Sequence, residues 1–170
     1  MKLRISLMFL IALPLFAADE MRQLDWMVGE WKGEAWIRMG PGEPEHVLQH
    51  ERVQPRLGGK TLLIEGTGRR KLADGAAGEI VHEALGVMSY DDKTKKYRFD
   101  AWTARDGYVE AWLEVGATGT ATWGFDTPQG ARIRYTISRN DQGQWHEVGE
   151  FSRDGKQFMK FFEMTLQKSK

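Results

Sequence analysis

From residue 29 onward, apolar and polar residues alternate with a period of two, in short runs broken by turn-forming clusters. Trp31, Gly33, Ala35 and Ile37 fall on one side of their run, and Lys32, Glu34 and Arg38 on the other. Tyr97, Phe99 and Ala101 oppose Lys96, Arg98 and Asp100; Val109, Ala111, Leu113 and Val115 oppose Glu110 and Glu114. Ile133, Tyr135 and Ile137 oppose Arg132 and Arg134, and Trp123 and Phe125 oppose Thr120 and Thr122. Trp145, Glu147, Gly149 and Phe151 form a mixed set against His146, Val148 and Glu150. Successive strand residues point to opposite faces, so this alternation reads as strands with one face buried.

The breaks carry turn chemistry: Asp91-Asp92-Lys93-Thr94, Arg105-Asp106-Gly107, Val115-Gly116-Ala117, Thr127-Pro128-Gln129-Gly130, Asn140-Asp141-Gln142-Gly143 and Arg153-Asp154-Gly155. Glycine supplies positive φ there, and Asp or Asn bonds its own backbone. The pattern predicts ten strands near residues 29–39, 46–56, 60–70, 79–90, 95–104, 107–115, 118–126, 131–139, 144–152 and 156–167. No interval after Met27 has room for a crossover helix, so neighbours in sequence pair antiparallel. The fold class expected is all-β: an up-and-down antiparallel barrel of about ten strands, closure removing exposed edges. The amphipathic run Met21–Met27 predicts a short N-terminal helix before it.

Residues 1–17 read differently. A basic start, Met1-Lys2-Leu3-Arg4, precedes the apolar run Ile5 to Phe16 and the small pair Ala17-Ala18, the layout of a cleaved signal peptide. That run is too short for a bilayer, which needs about 20 residues. The organisation expected is a signal peptide over 1–17 and one lipocalin-like β-barrel domain over 18–170, in the periplasm or secreted, with no membrane span after cleavage. The chain has no cysteine, so neither a disulfide nor a lipid-modified cysteine is available. Without Lys2 and Arg4, 22 basic residues face 24 acidic ones, a net charge of −2. No basic stripe appears, and nucleic acid is not an expected partner.

Taking the apolar sets as inward gives a lumen rich in aromatic rings. The residues expected to face a ligand are Trp31, Tyr97, Phe99, Trp123, Tyr135 and Trp145, with Glu65, His82, Glu147 and Glu163 as polar candidates. Gly33, Ala35, Ala101, Ala111 and Gly149 in the same sets favour a cavity over a solid core. Adjacent strand residues diverge, so neither His82-Glu83 nor His146-Glu147 can act as a pair; acid–base chemistry would need groups assembled across strands. His46 and His50 lie about 13 Å apart on one strand face, too far to share a zinc ion. No metal and no cofactor is expected. Trp36, Trp102 and Trp112 fall in the outward sets, a candidate contact surface for a homodimer.

Gly29-Glu30-Trp31 after a helical turn resembles the entry strand of the calycin superfamily, the lipocalin-like barrels. Ile64-Glu65-Gly66, Val81-His82-Glu83-Ala84-Leu85, Ser89-Tyr90-Asp91, Trp123-Gly124-Phe125, Arg134-Tyr135-Thr136-Ile137 and Phe161-Phe162-Glu163-Met164 extend the match to a bacterial lipocalin-like family of unknown function. The resemblance implies a cup that holds a ligand and leaves the ligand unnamed. The nitrobindins, haem-binding barrels of similar kind, use a histidine near the chain's end; the final strand here has none, so haem is not implied.

Three functions remain open on these grounds. The first is binding or carriage of a small apolar or amphipathic molecule in the lumen. The second is a barrel enzyme, a hydrolase or isomerase using cross-strand Glu and His, which requires Glu65, His82, Glu147 and Glu163 to converge. The third is a structural or interaction barrel with a filled interior.

Overall fold

The structure is a computed structural model that describes residues 20–105 and 107–169; the expected signal peptide and its cleavage point lie outside the described residues. A 3-10 helix, Arg22–Met27, leads into ten strands: β1 (Gly29–Ile37), β2 (Glu45–Arg56), β3 (Thr61–Lys71), β4 (Ala77–Asp91), β5 (Lys96–Thr103), β6 (Gly107–Val115), β7 (Ala121–Asp126), β8 (Arg132–Arg139), β9 (Trp145–Ser152) and β10 (Met159–Lys168). Each strand pairs antiparallel with the next, and β1 pairs with β10, so the sheet closes into a barrel. The all-β barrel expected from the alternation is the fold observed. Two strands begin about three residues later than the pattern suggests. Before β7 the chain still turns at Gly119, whose N–H donates to the Gly116 carbonyl. Before β10 the Asp154 carboxylate accepts from the Lys156 and Gln157 N–H groups and holds them out of the ladder.

The inward residues form layers along the barrel axis. At the end where β1 begins, Trp31, Val53, Leu62, Met88, Leu113, Ala121, Ile137, Trp145 and Leu166 are all buried. Met21, Leu24 and Met27 of the N-terminal segment pack into the same core and close this end. Burying each such side chain is worth about 1.5–3 kcal/mol. Trp26, Trp31 and Trp145 make a three-way edge-to-face cluster with centroids 5.7–6.0 Å apart, a geometry that matches ring quadrupoles. The buried indole N–H of Trp31 donates to the Met27 carbonyl at 2.7 Å, so burial leaves no orphan donor.

Two glycines make this closure possible. Gly119 sits at φ +76°, and a Cβ there would come within 2.4 Å of the Gln23 carbonyl; without one, the β6–β7 turn touches the helix and accepts the Trp26 N–H at 3.0 Å. At Gly33 a Cβ would lie 2.1 Å from the Thr165 carbonyl, so the β1–β10 seam closes only over glycine.

At the opposite end, where β1 finishes, the inward residues change character. Ala84, Ala101, Thr103, Val109, Phe125, Ile133, Tyr135, Phe151 and Phe162 are half-buried rather than buried. One half of the barrel is therefore a solid core, and the other is lined by half-buried residues.

Candidate functional site

The floor of the half-buried part is built from β2. Its inward residues run Val47, Gln49, Glu51, Val53, so two polar side chains stand where a barrel normally places apolar ones. They fit because the facing strand is bare: Glu51 pairs with Gly66 and Gln49 with Gly68. A Cβ on Gly66 would lie 2.8 Å from Glu51 Oε1, and one on Gly68 would lie 2.6 Å from Gln49 Oε1. The same device recurs around the lumen. Gly86 makes room for the Phe99 ring and Gly149 for Tyr135 and Phe162. The small lumen residues thus seat large neighbours, rather than opening an empty space as their sequence positions suggest.

From β9, Glu147 also points inward, near enough for its charge to act on Glu51. Glu51 and Glu147 are 8% and 7% exposed, the depth at which carboxyl groups normally need partners. The Gln49 amide donates to Glu51 Oε1 at 2.7 Å, and the Trp145 indole N–H to Glu147 Oε2 at 3.2 Å. The Trp123 N–H lies near enough to favour the Glu147 anion but misses hydrogen-bond geometry and is buried without another partner. Among the described residues, neither glutamate makes an ion pair. Burial pushes the Glu51 carboxyl up to about 8, with Gln49 opposing and the Glu147 charge adding to the rise. Burial likewise pushes Glu147 up to about 7, against the two indole N–H groups. Two acids that hold protons near neutrality thus sit beneath an aromatic wall. In that wall Trp123 stacks on Tyr135 at 4.2 Å and 11°, Phe99 meets Trp123 edge-on at 4.8 Å, and Phe162 meets Tyr135 edge-on at 5.8 Å.

The residues singled out in the sequence separate into four places. Phe99, Trp123, Tyr135 and Glu147 surround the floor. Trp31, Tyr97 and Trp145 belong to the closed end, with Trp145 touching the floor only through its N–H. The Tyr97 hydroxyl donates to the Glu20 carbonyl at 3.0 Å, and burial, with Glu20 adding, pushes its phenol up to about 12. His82 has inward parity beside Gly68 but is exposed at the rim. Glu65 and Glu163 are on the outside, corrections to their expected lumen positions. Glu65 alternates with buried Ile64 and Gly66 and so must point outward. Glu163 alternates with buried Met164; it binds His146 at 3.0 Å, Lys160 at 2.9 Å and the Trp36 N–H at 3.3 Å on the outer wall. Glu65, His82, Glu147 and Glu163 therefore do not converge.

The outward tryptophans also divide. Trp102 and Trp112 share the β5–β6 surface with Leu85 and Tyr108, all partly exposed, whereas Trp36 lies across the barrel on β1 and is occupied by Glu163 and Lys160. They form no single face of three rings. Two outer concavities exist, about 680 Å³ beside Trp26 and residues 139–143 and about 590 Å³ over β1 and β10; neither is lined by the floor acids. They are shallow and open, and we place the candidate site at the floor, where burial and unpaired acid chemistry coincide. Among the described residues no group of three His, Cys, Asp or Glu could hold a metal ion, and no helix is long and apolar enough to cross a membrane.

Glu51 and Gln49 are the residues that sequence reasoning missed. Both alternate sets of β2 are mixed in polarity, so hydrophobic contrast does not sort them. The available signal was in β3, where Gly66 and Gly68 at alternate positions leave room for large side chains on a neighbouring strand.

No protein-family model and no curated protein matches the chain. Solved structures do. Rv2717c from M. tuberculosis superposes with a TM-score of 0.64 over 91% of this chain and 99% of its own, at 13% identity. The S-type phycobiliprotein lyase CPES from Guillardia theta superposes with a TM-score of 0.59 over 92% of this chain and 99% of its own, also at 13% identity. At that identity the likeness concerns the fold, a calycin-like ten-stranded barrel.

Proposed function

We propose that this protein is an exported binding or carrier barrel that takes a small amphipathic molecule into the open half of its lumen. The observation that carries the reading is the floor: two nine-tenths-buried carboxyl groups without an ionic partner, under half-buried aromatic walls. Apolar walls supply affinity and a few polar groups fix orientation in such sites. The lyase resemblance is compatible with a lumen that accepts a small molecule. Export rests on the leader pattern of residues 1–17; N-terminal sequencing of periplasmic protein should start near Ala18, and an intact Met1 on membrane-bound material would refute it.

The binding test is native mass spectrometry of freshly purified protein, followed by extraction of what co-purifies, alongside Trp fluorescence titration with fatty acids, sterols, amines and sugars. A retained small molecule, or a saturable fluorescence change abolished by Tyr135→Ala, supports the reading. Ligand-free protein and fluorescence indifferent to the whole panel would leave the filled structural barrel, which the seating of Phe99, Tyr135 and Phe162 over glycines supports.

A further inference from the structure

Resting on the lumen reading above, we infer that the lumen site selects a ligand whose head group is a protonated amine carried on an apolar or aryl tail, with Glu51 and Glu147 as its receptors. Gln49 donates to one oxygen of Glu51 and Trp145 to one oxygen of Glu147; among the described residues the second oxygen of each accepts no hydrogen bond. An ammonium group has three donors and no acceptor, which matches the two remaining carboxyl oxygens once the acids are ionised. Among the described residues, the inward positions next to the floor carry no cation apart from His82 of β4, which has inward parity beside Gly68 and stands exposed at the rim. On β1, β3, β5, β6, β7 and β10 the neighbouring inward residues are Gly33 and Ala35, Ile64 and Gly66, Phe99 and Ala101, Val109 and Ala111, Trp123, and Phe162 and Met164.

Burying an acid without a cation is costly, and burying two is more so. The neutral way to fill this position is an apolar side chain, as in every layer below it. Holding two acids there is consistent with a charge delivered from outside. The raised carboxyl pKa values have the same origin, since desolvation and mutual repulsion are both relieved by a bound cation. Trp123, stacked on Tyr135, adds an aromatic face beside the acids, a second attraction for a cation and a wall for an aryl tail. In their ionised form the same two groups disfavour a carboxylate or phosphate ligand.

The test is isothermal titration of the full-length mature protein, at neutral pH, with phenylbutylamine, phenylbutanol and phenylbutyrate, which share a tail and differ in head group. The amine should bind about tenfold or more tightly than the alcohol, and the carboxylate weakest of the three. Glu51→Gln and Glu147→Gln should each reduce the amine's advantage over the alcohol, with near-UV circular dichroism confirming a native barrel. Equal affinity for amine and alcohol, or an advantage that survives both substitutions, overturns the head-group assignment and leaves lumen binding standing. Failure of all three compounds to bind overturns both.

Discussion

The two halves of this barrel are built from one chain pattern and hold different interiors. In the closed half the buried inward residues are apolar or hydrogen-bonded aromatics, and the N-terminal segment seals the end with Met21, Leu24 and Met27. In the open half the same alternation delivers half-buried aromatics over two carboxyl groups that lack ionic partners. Stability is concentrated where the interior is fully buried; the polar groups that cost stability lie next to the half-buried lining. The sheet closes around both halves, and its register shifts, between Lys160 and Phe162 and between Gly68 and Lys71, fall at the open end. The halves differ further in which side chains the inward positions carry.

The largest effect should come from removing the closed end's central ring. Trp31→Ala deletes a side chain that is 1% exposed, its N–H bond to Met27 and two edge-to-face contacts. The cost expected in urea denaturation is about 3–5 kcal/mol. Tyr135→Ala, in the open half, should cost less than half as much, because solvent already reaches its position. Equal losses would erase the division between the halves, and a loss below about 1 kcal/mol at Trp31 would deny its place in the core.

The next effect separates the halves by pH. Burial pushes the Glu51 and Glu147 carboxyls up to about 8 and about 7 in the folded barrel, from an ordinary value of 4.5. Their folded-state values are raised, so the folded barrel keeps protons that the unfolded chain releases. Their protonation therefore favours the fold fully below 4.5, and that contribution is lost as pH rises through 7 and 8. Thermal melts should show stability falling from about pH 5 to pH 8 by on the order of 2–4 kcal/mol. The double variant Glu51→Gln, Glu147→Gln should flatten this decline and exceed the parent's stability at the alkaline end. A parent curve already flat across that range would mean that the two acids are solvated.

Much of this division was legible in the alternation, and its most chemical part was not. Trp31 and Phe99 could be assigned inward because their strands contrast sharply, and Glu147 because it shares the parity of Trp145 and Phe151 in a mixed strand. Glu51 could not, because Val47-Leu48-Gln49-His50-Glu51-Arg52-Val53 offers one polar–apolar mixture against another. Its direction is fixed only by pairing with Gly66, a cross-strand fact. Glu65 and Glu163 misled for the complementary reason: a carboxyl group near aromatic residues in sequence says nothing of its face until the strand's parity is anchored on Ile64 or Met164. The glycines misled too. Gly149 in an inward set is ambiguous between empty space and a seat for a ring, and only the position of Tyr135 decides it.

A smaller effect probes that seating directly. Gly66→Ala puts a methyl 2.8–2.9 Å from both Glu51 oxygens. The carboxyl group must tilt away, at a cost of about 1–2 kcal/mol. In a Glu51→Ala background the same substitution should cost almost nothing, because the obstructing group has gone; a double-mutant cycle measures the difference. Additivity of the two changes would mean that Glu51 does not lie over Gly66, and the floor would need a different account.

The smallest effect turns the comparison inside out, using a glutamate on the outer wall. Glu163 accepts from Lys160, His146 and the Trp36 N–H, and these partners, Lys160 foremost, hold its carboxyl below the ordinary range. Its folded-state value is lowered, so its contribution is present above 4.5 and is lost as pH falls below that. The sign is opposite to that of the floor acids. Solvent screens this cluster, so Glu163→Gln should cost only about 0.5 kcal/mol at neutral pH, and less still in high salt. Below about pH 4 the variant and the parent should converge. The substitution should leave ligand affinity in the lumen unchanged, because the side chain stands on the far side of the sheet from Glu147. If Glu163→Gln instead altered the stability decline between pH 5 and pH 8, the inner and outer acids would be coupled through the wall (an effect screened charges on opposite faces should not show). The assignment of that decline to Glu51 and Glu147 alone would then fail.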